Sequence, residues 1–248
     1  LSLFGAKDFD SFCESLKAPR LEAYDSDNIS LFYHEIVSKI PSSSPLTREQ
    51  LLAYDANIFK HTKAISEKRQ QKIAWKYFQY LSLLFTELYL DRYFTDRIAL
   101  LEDLNTYLND TFNNLQDTFH EIAPFTLQDL NKLAYWNATG SGKTLLMHVN
   151  ILQYLHYSKG RDLNKILLLT TDEGLSRQHI DELSLSSIAA QGFIKSGGSM
   201  YNGCIVEVIE ITKLADTDGE KTVAVDSFEG NNLVLVDEGH RGSSGNKW

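Results

Sequence analysis

The sequence predicts an α/β fold, in which a parallel β-sheet covered by helices on both faces follows an all-helical N-terminal region. No glycine occurs between Gly5 and Gly140, which is typical of helices joined with few tight turns. After residue 126, short runs of Ile, Leu and Val alternate with helical segments and glycines, as in parallel sheets. We therefore expect a helical region at residues 1–125 and a sheet domain at residues 126–248.

Capping signals and helical spacing predict the elements of the helical region. Thr47-Arg-Glu-Gln50 has the order of a capping box, in which two side chains satisfy two backbone amides at a helix start. A long helix is expected at residues 67–94, because apolar residues recur every three or four positions between Tyr77 and Leu88. A second apolar stripe begins at Ile98 and predicts the next helix.

Apolar runs and glycine turns predict the elements of the sheet domain. Helices are expected through about Tyr157 and at Leu175–Leu185. Strands that lie between such helices are expected to be buried on both faces. The predicted strands are Leu133–Trp136, Lys165–Thr171, Cys204–Ile211 and Leu233–Val236.

Composition limits the classes of protein that the chain can belong to. The net charge is −9, so binding of nucleic acid would need a local groove and backbone amides rather than overall charge. The two cysteines lie far apart, which argues against a disulfide framework or a zinc ribbon and favours a cytoplasmic location. The scattered histidines are expected to be surface or packing residues, and no apolar run is long enough to span a membrane.

A glycine-rich turn follows a predicted strand and precedes a predicted helix. Its glycines let backbone N–H groups face an anion, and the helix N-terminus adds partial positive charge. Lys143 would neutralise the β- and γ-phosphates of ATP, and Thr144 would offer its hydroxyl to Mg²⁺. Asn137 stands where the usual motif has a further glycine. We call this turn the phosphate loop, and the residues expected to bind the nucleotide in it are Thr139, Gly140, Ser141, Gly142, Lys143 and Thr144.

Two adjacent carboxylates, Asp237 and Glu238, end the last apolar run. Ligands bind at the C-terminal edge of parallel sheets. Because successive side chains of a strand point in opposite directions, the two carboxylates can take separate roles. Asp237 would hold Mg²⁺, and Glu238 would orient and deprotonate the attacking water. We expect this pair and the phosphate loop to converge on one triphosphate and one metal ion.

Together, Thr139–Thr144 and Asp237-Glu-Gly-His240 resemble motifs I and II of superfamily-two helicases and translocases, with Gly239 at the variable position of D-E-x-H. More specifically, the chain resembles the ATPase (Res) subunit of type III restriction enzymes and related restriction-type DEAD/DEAH-box proteins. Asp172–His179 resembles motif Ia, and Ile211–Leu214 resembles motif Ib. The resemblance covers about residues 130–242 and implies a RecA-like P-loop NTPase domain.

The resemblance implies roles for further residues. Residues of motifs Ia and Ib contact the nucleic-acid backbone, which positions a strand without reading its bases. The candidates here are Arg177, Gln178 and Thr212. His240 would couple the nucleotide site to the nucleic-acid groove. Gln79 would read adenine, with Gln128 as the alternative, and an ordinary surface role stays open for both glutamines.

The function that the resemblance implies is ATP hydrolysis with Mg²⁺, coupled to movement on or opening of duplex DNA in restriction or phage defence. Lys143 and Glu238 would be catalytic, and a methyltransferase or another defence subunit would be a partner. Members of the family complete the site with arginines from a second RecA-like lobe. No such second lobe precedes Trp248. We therefore expect an incomplete lobe of a longer protein, which binds ATP but hydrolyses it slowly. An ATP-switched assembly module without motor activity and an RNA helicase are the alternatives.

Overall fold

The structure is a computed structural model that describes residues 2–6, 8–110, 122–159, 163–194, 205–215, 219, 222–237 and 239. The chain forms two compact units. The helical unit comprises Leu1–Phe59, Ala74–Leu146 and Asn150–Ser158. The sheet unit comprises Lys60–Ile73, Met147–Val149 and Lys159–Trp248.

The helical unit is built from seven-residue or shorter helices near its start and from longer helices after them. Its elements are α1 (Phe9–Glu14), α2 (Leu31–Val37), most of α3 (Arg48–Ser66), α4 (Tyr77–Thr95), α5 (Arg97–Leu108) and both ends of α6 (Lys143–Ser158). The predicted capping box at the start of α3 is confirmed. The Thr47 N–H donates to Gln50 Oε1 at 2.9 Å, and the Gln50 N–H donates to Thr47 Oγ1 at 3.1 Å.

A buried carboxylate on α4 connects three helices of the helical unit. Glu87 is fully buried and accepts hydrogen bonds from Asn57 of α3 at 3.0 Å and from Gln153 of α6 at 2.7 Å. The Tyr157 hydroxyl of α6 donates to it at 2.5 Å. Burial raises the pKa of Glu87, while these three donors favour the charged form. Because a buried carboxylate needs such partners, the cluster fixes the C-terminal part of α6 against α3 and α4.

The long helix predicted at residues 67–94 is wrong over its first part. Helix α3 ends at Ser66, and α4 begins only at Tyr77, after Lys76 in an extended conformation with φ −74° and ψ 159°. Residues 67–72 are all polar or charged. A helix through them would bury no apolar face, and helices in proteins depend on such burial for their stability.

The strand predicted at Leu133–Trp136 is also wrong. This segment pairs with no strand among the residues that the structure describes, and the Trp136 side chain is 101% exposed. The Tyr135 hydroxyl instead lies 2.6 Å from the Thr86 hydroxyl of α4. A short apolar run predicts a strand only where it gains a neighbouring strand, and here the contacts with α4 decide its position.

The sheet unit contains a parallel sheet, which confirms the predicted fold class. Its strands are β1 (Lys165–Thr170), β2 (Ala190–Gly192), β3 (Val206–Glu210) and β6 (Asn232–Val236), in the spatial order β2-β3-β1-β6. Helix α7 (Glu173–Leu185) connects β1 to β2. The short strands β4 (Leu214–Ala215) and β5 (Val223–Ala224) form a separate parallel pair. Three of the four predicted strands therefore exist, and Cys204 of the third lies outside the described residues.

The strand register aligns the C-terminal ends of three strands. Thr170 of β1 lies opposite Glu210 of β3, and Leu169 lies opposite Val236 of β6. The residues that follow β1, β3 and β6 therefore emerge at one edge of the sheet. The predicted burial of strands on both faces is observed for β1 but not for β6, where Val234 is 48% exposed and Val236 is 40% exposed. Strand β6 is the last strand in the spatial order, so it has a neighbour on one side only in the described sheet.

Among the described residues, no helix combines the length and the apolar character that crossing a membrane requires.

Candidate functional site

The phosphate loop lies in the helical unit and turns through two glycines in the left-handed region. Gly140 has φ 76° and Gly142 has φ 83°, conformations that L side chains rarely adopt. Helix α6 begins immediately afterwards at Lys143. The first N–H groups of a helix have no acceptor within it and, with the helix dipole, attract anions. The predicted turn and the predicted helix are thus both present, without the strand expected before them.

The loop has the space and the polar groups that a phosphate needs. Apart from its two chain neighbours, none of the described residues has an atom within 4 Å of a methyl group placed at Gly140, so this side of the loop is open. The Ser141 hydroxyl is buried, and none of the described residues gives it a hydrogen-bond partner. Buried polar atoms without partners are rare, and a bound group often completes them. The loop therefore fits the phosphates of a nucleotide.

Gln79, the predicted adenine-reading residue, contacts the phosphate loop directly. Its Nε2 donates to the Ser141 carbonyl at 2.7 Å, and its Oε1 accepts the Lys76 N–H at 2.8 Å. A Cβ atom at Gly142 would lie 2.6 Å from Gln79 Nε2, so only glycine allows this approach. Gln128, the alternative, is exposed. The structure brings Gln79 to the predicted phosphate loop, and both nucleotide binding by the loop and the reading of adenine by Gln79 stay predictions.

Asp237 lies in the sheet unit, directly after β6. Its N–H donates to the Leu169 carbonyl at 3.2 Å, which continues the hydrogen bonding between β6 and β1. Its carboxylate is 14% exposed and lies 2.9 Å from His179 Nε2 on α7. A carboxylate at the C-terminal edge of a parallel sheet supplies the oxygen ligands that Mg²⁺ prefers. Glu238 and His240 lie outside the described residues.

The candidate nucleic-acid residues are exposed and follow two neighbouring strands of the sheet. Arg177 and Gln178 lie on α7 after β1, and Thr212 lies in the turn after β3. The Arg177 guanidinium pairs with Glu173 at 2.5 Å on the surface of α7. Helix α7 and the turn with Thr212 both follow strands that end at the edge of the sheet from which Asp237 also emerges. Their exposure is compatible with contacts to a phosphate backbone, and these contacts stay a prediction.

Comparison with known families agrees with the motifs. The model of the family described as type III restriction enzyme, res subunit, matches residues 98–248, which is more than half of the chain. The chain belongs to this family. Members of the res-subunit family carry a superfamily-two helicase ATPase domain with a RecA-like fold. No curated protein and no solved structure matches the chain.

In this member of the res-subunit family, sequence reasoning missed His179. His179 ends the segment that resembles motif Ia, whose predicted nucleic-acid contacts are the exposed residues Arg177 and Gln178 just before it. A helical signal was present, because Ser176, His179 and Leu183 recur every three or four positions and form the buried face of α7. This spacing places His179 inside the sheet unit, where it reaches Asp237.

A second buried histidine, His148 of α6, is a packing residue, as expected. Its Nδ1 lies 2.8 Å from the Ser186 hydroxyl, which also accepts a hydrogen bond from Arg69 at 2.9 Å. Burial lowers the pKa of His148 to about 3, with smaller contributions from the charges of Arg69 and His179. The imidazole is therefore neutral at physiological pH.

Proposed function

We propose that this chain is the first motor lobe of a DNA translocase, which hydrolyses ATP with Mg²⁺ to move on or open duplex DNA. Membership of the res-subunit family shows that the chain carries a helicase-like ATPase lobe. Movement on DNA and a role in restriction or phage defence are the proposal. The observation that carries it is the glycine turn before α6, with an open side at Gly140 and a buried hydroxyl at Ser141 that has no hydrogen-bond partner among the described residues.

The residues of the loop would bind ATP mainly through electrostatics and hydrogen bonds. Backbone N–H groups at the start of α6 would donate to phosphate oxygens. Lys143 would add a flexible positive charge near the β- and γ-phosphates, where it lowers the cost of charge that develops during transfer. Thr139, Gly140, Ser141 and Gly142 would shape the turn that directs these donors at one anion.

Thr144 and Asp237 are the proposed ligands of Mg²⁺, because hydroxyl and carboxylate oxygens suit this hard cation. When bound, Mg²⁺ would neutralise negative charge on the phosphate oxygens. Glu238 would hold the attacking water in line and accept its proton. The proposal that these residues act on the same ATP molecule rests on the pairing of the two motifs in the family.

Contacts with nucleic acid are proposed for Arg177, Gln178 and Thr212, with coupling to the nucleotide site through His240. Exposed side chains of this kind bind phosphates without reading sequence. Because the chain has a net charge of −9, only a local path would attract DNA, and binding should weaken steeply as salt rises. A methyltransferase or another defence subunit is the proposed protein partner.

The test compares ATP binding and turnover in the wild-type chain and in Lys143→Ala. We expect wild type to bind ATP in a Mg²⁺-dependent manner and to hydrolyse it faster with duplex DNA. Loss of the lysine charge should weaken ATP binding about tenfold or more, which corresponds to about 1.4 kcal/mol. Lys132→Ala, which changes an exposed lysine of the same unit, is the control and should behave as wild type. Absence of Mg²⁺-dependent ATP binding by wild type would overturn the proposal.

A further inference from the structure

His179 is placed to control the orientation of the carboxylate that is proposed to hold Mg²⁺. Its side chain is 2% exposed, and its Nε2 lies 2.9 Å from Asp237 Oδ2. An ionised carboxylate can only accept hydrogen bonds, so Nε2 carries the hydrogen and donates it. Nδ1 has no hydrogen-bond partner among the described residues. The imidazole is thus aimed at Asp237.

The backbone on both sides of this contact is held in place. Asp172 caps α7 by accepting the Leu175 N–H at 2.9 Å, and the Ser176 hydroxyl on α7 lies 2.7 Å from the Thr170 hydroxyl of β1. On the other side, the Asp237 N–H is bonded to β1. The imidazole therefore projects from a helix that is fixed to the same strand as its partner.

We propose that His179 is a positioning residue for Asp237, and that its N–H donor sets the affinity of this chain for Mg²⁺ when nucleotide binds. The inference rests on the proposed function, because it takes Asp237 as a ligand of Mg²⁺. A donor that holds one carboxylate oxygen limits rotation of the whole group, so less conformational entropy is lost when the metal binds. Removal of a hydrogen-bond partner of a metal ligand typically lowers metal affinity by about 10–100-fold.

The test measures Mg²⁺ affinity directly, by titrating Mg²⁺ into the chain with a fluorescent, non-hydrolysable ATP analogue and following anisotropy. His179→Phe keeps a ring but removes the donor, and His179→Gln keeps an N–H donor near the position of Nε2. We expect His179→Phe to raise the half-saturating Mg²⁺ concentration about tenfold, and His179→Gln to stay close to wild type. Nucleotide binding in EDTA should be the same in all three proteins.

Equal Mg²⁺ dependence of His179→Phe and wild type would overturn the role of His179 and leave the proposed function standing. An equal loss in His179→Gln and His179→Phe would also overturn it, since packing and not the donor would then be responsible. Wild-type protein that binds the analogue without any Mg²⁺ dependence would overturn both proposals. Thermal unfolding monitors the fold, and His179→Leu replaces the phenyl variant if the larger ring prevents folding.

Discussion

Ser141 shows that two oxygens of one residue in the phosphate loop serve different purposes. Its carbonyl accepts a hydrogen bond from Gln79, whereas its buried hydroxyl has no partner among the described residues. The first oxygen is therefore used by the protein to hold the loop, and the second is the better candidate for contact with a phosphate. Gln79 could therefore hold the loop through the Ser141 carbonyl or read adenine. These two roles have different consequences for nucleotide specificity.

Substitution of Gln79 by Ala distinguishes these roles. If Gln79 mainly holds the loop, Gln79→Ala should weaken binding of ATP, GTP and pyrophosphate alike, by about tenfold for a hydrogen bond worth roughly 1.4 kcal/mol. If it reads adenine, only ATP binding should weaken, and the preference for ATP over GTP should disappear. Competition binding with the three ligands measures this. Gln128→Ala is the matched control, and a loss of ATP preference in that variant would identify Gln128 as the reader.

His148 predicts how stability depends on pH. Its pKa is about 3 in the folded chain, against 6.5 for the unperturbed side chain. Between these values the unfolded chain binds a proton that the folded chain does not, so the free energy of unfolding should fall as pH decreases below 6.5. The contribution approaches about 1.4 kcal/mol for each pH unit. Full stability from this residue is therefore present above pH 6.5.

Urea unfolding at several pH values between 7.5 and 5.0 would measure this dependence. His148→Gln keeps a polar side chain opposite Ser186 but cannot gain the proton. The slope of its free energy of unfolding against pH should therefore be smaller than in wild type, by up to the amount that uptake of one proton contributes. His156→Gln, which changes an exposed histidine of the same helix, should keep the wild-type slope. Identical slopes for His148→Gln and wild type would contradict the burial of a neutral imidazole at this position.

Helix α7 presents different chemistry on its two faces. Ser176, His179 and Leu183 face the interior of the sheet unit, while Arg177 and Gln178 are exposed. The helix follows β1 and begins at the edge of the sheet where β3 and β6 also end. One rigid element therefore carries both the positioning residue of Asp237 and the surface proposed to bind nucleic acid.

The ion pair between Arg177 and Glu173 predicts opposite effects on DNA binding when either partner is changed. Arg177→Ala should weaken binding of duplex DNA and reduce the salt dependence of log Kd by about one, because one phosphate contact is lost. Glu173→Gln should strengthen DNA binding, because it removes the carboxylate that competes with phosphate for the guanidinium. Fluorescence anisotropy at several salt concentrations measures both effects. Arg177→Lys, which keeps the charge, is the control, and unchanged salt dependence in Arg177→Ala would contradict the contact.

At the scale of the whole molecule, the motif residues are divided between two compact units. The phosphate loop belongs to the helical unit, and Asp237 and the segments resembling motifs Ia and Ib belong to the sheet unit. Their joint action on one ATP molecule is part of the proposed function. A substitution of Glu238 tests it, because the predicted base is needed for hydrolysis but not for binding. The same substitution distinguishes a motor driven by hydrolysis from an assembly module that is switched by ATP binding.

Glu238→Gln should bind ATP and Mg²⁺ with wild-type affinity but lose about 100-fold or more in turnover, as expected for removal of a general base. DNA-dependent movement should be lost with it, as measured by displacement of a labelled strand or of a third strand from a triplex. Glu229→Gln, in the turn before β6, is the control. Retention of DNA-dependent function in Glu238→Gln would favour assembly driven by ATP binding alone.

Duplex DNA and duplex RNA should be compared in the same turnover assay. Contacts limited to phosphates discriminate poorly between the two, so the ratio of stimulation decides which one is the natural partner. We expect greater stimulation by DNA. A larger effect of RNA would replace the DNA translocase by an RNA helicase and leave the proposed ATP site unchanged.

Local chemistry in the sequence was enough to predict the glycine turn before α6, the capping box of α3, helix α6 and three strands of the parallel sheet. These features depend on neighbours in the chain: glycines that permit positive φ, a cap three residues from its partner, and apolar runs that require burial. Tertiary contacts alone decided three others. Leu133–Trp136 lies against α4 and forms no strand, Gln79 reaches the Ser141 carbonyl, and His179 reaches Asp237. Each depends on residues distant in sequence, whose approach follows from packing of whole elements rather than from any local pattern.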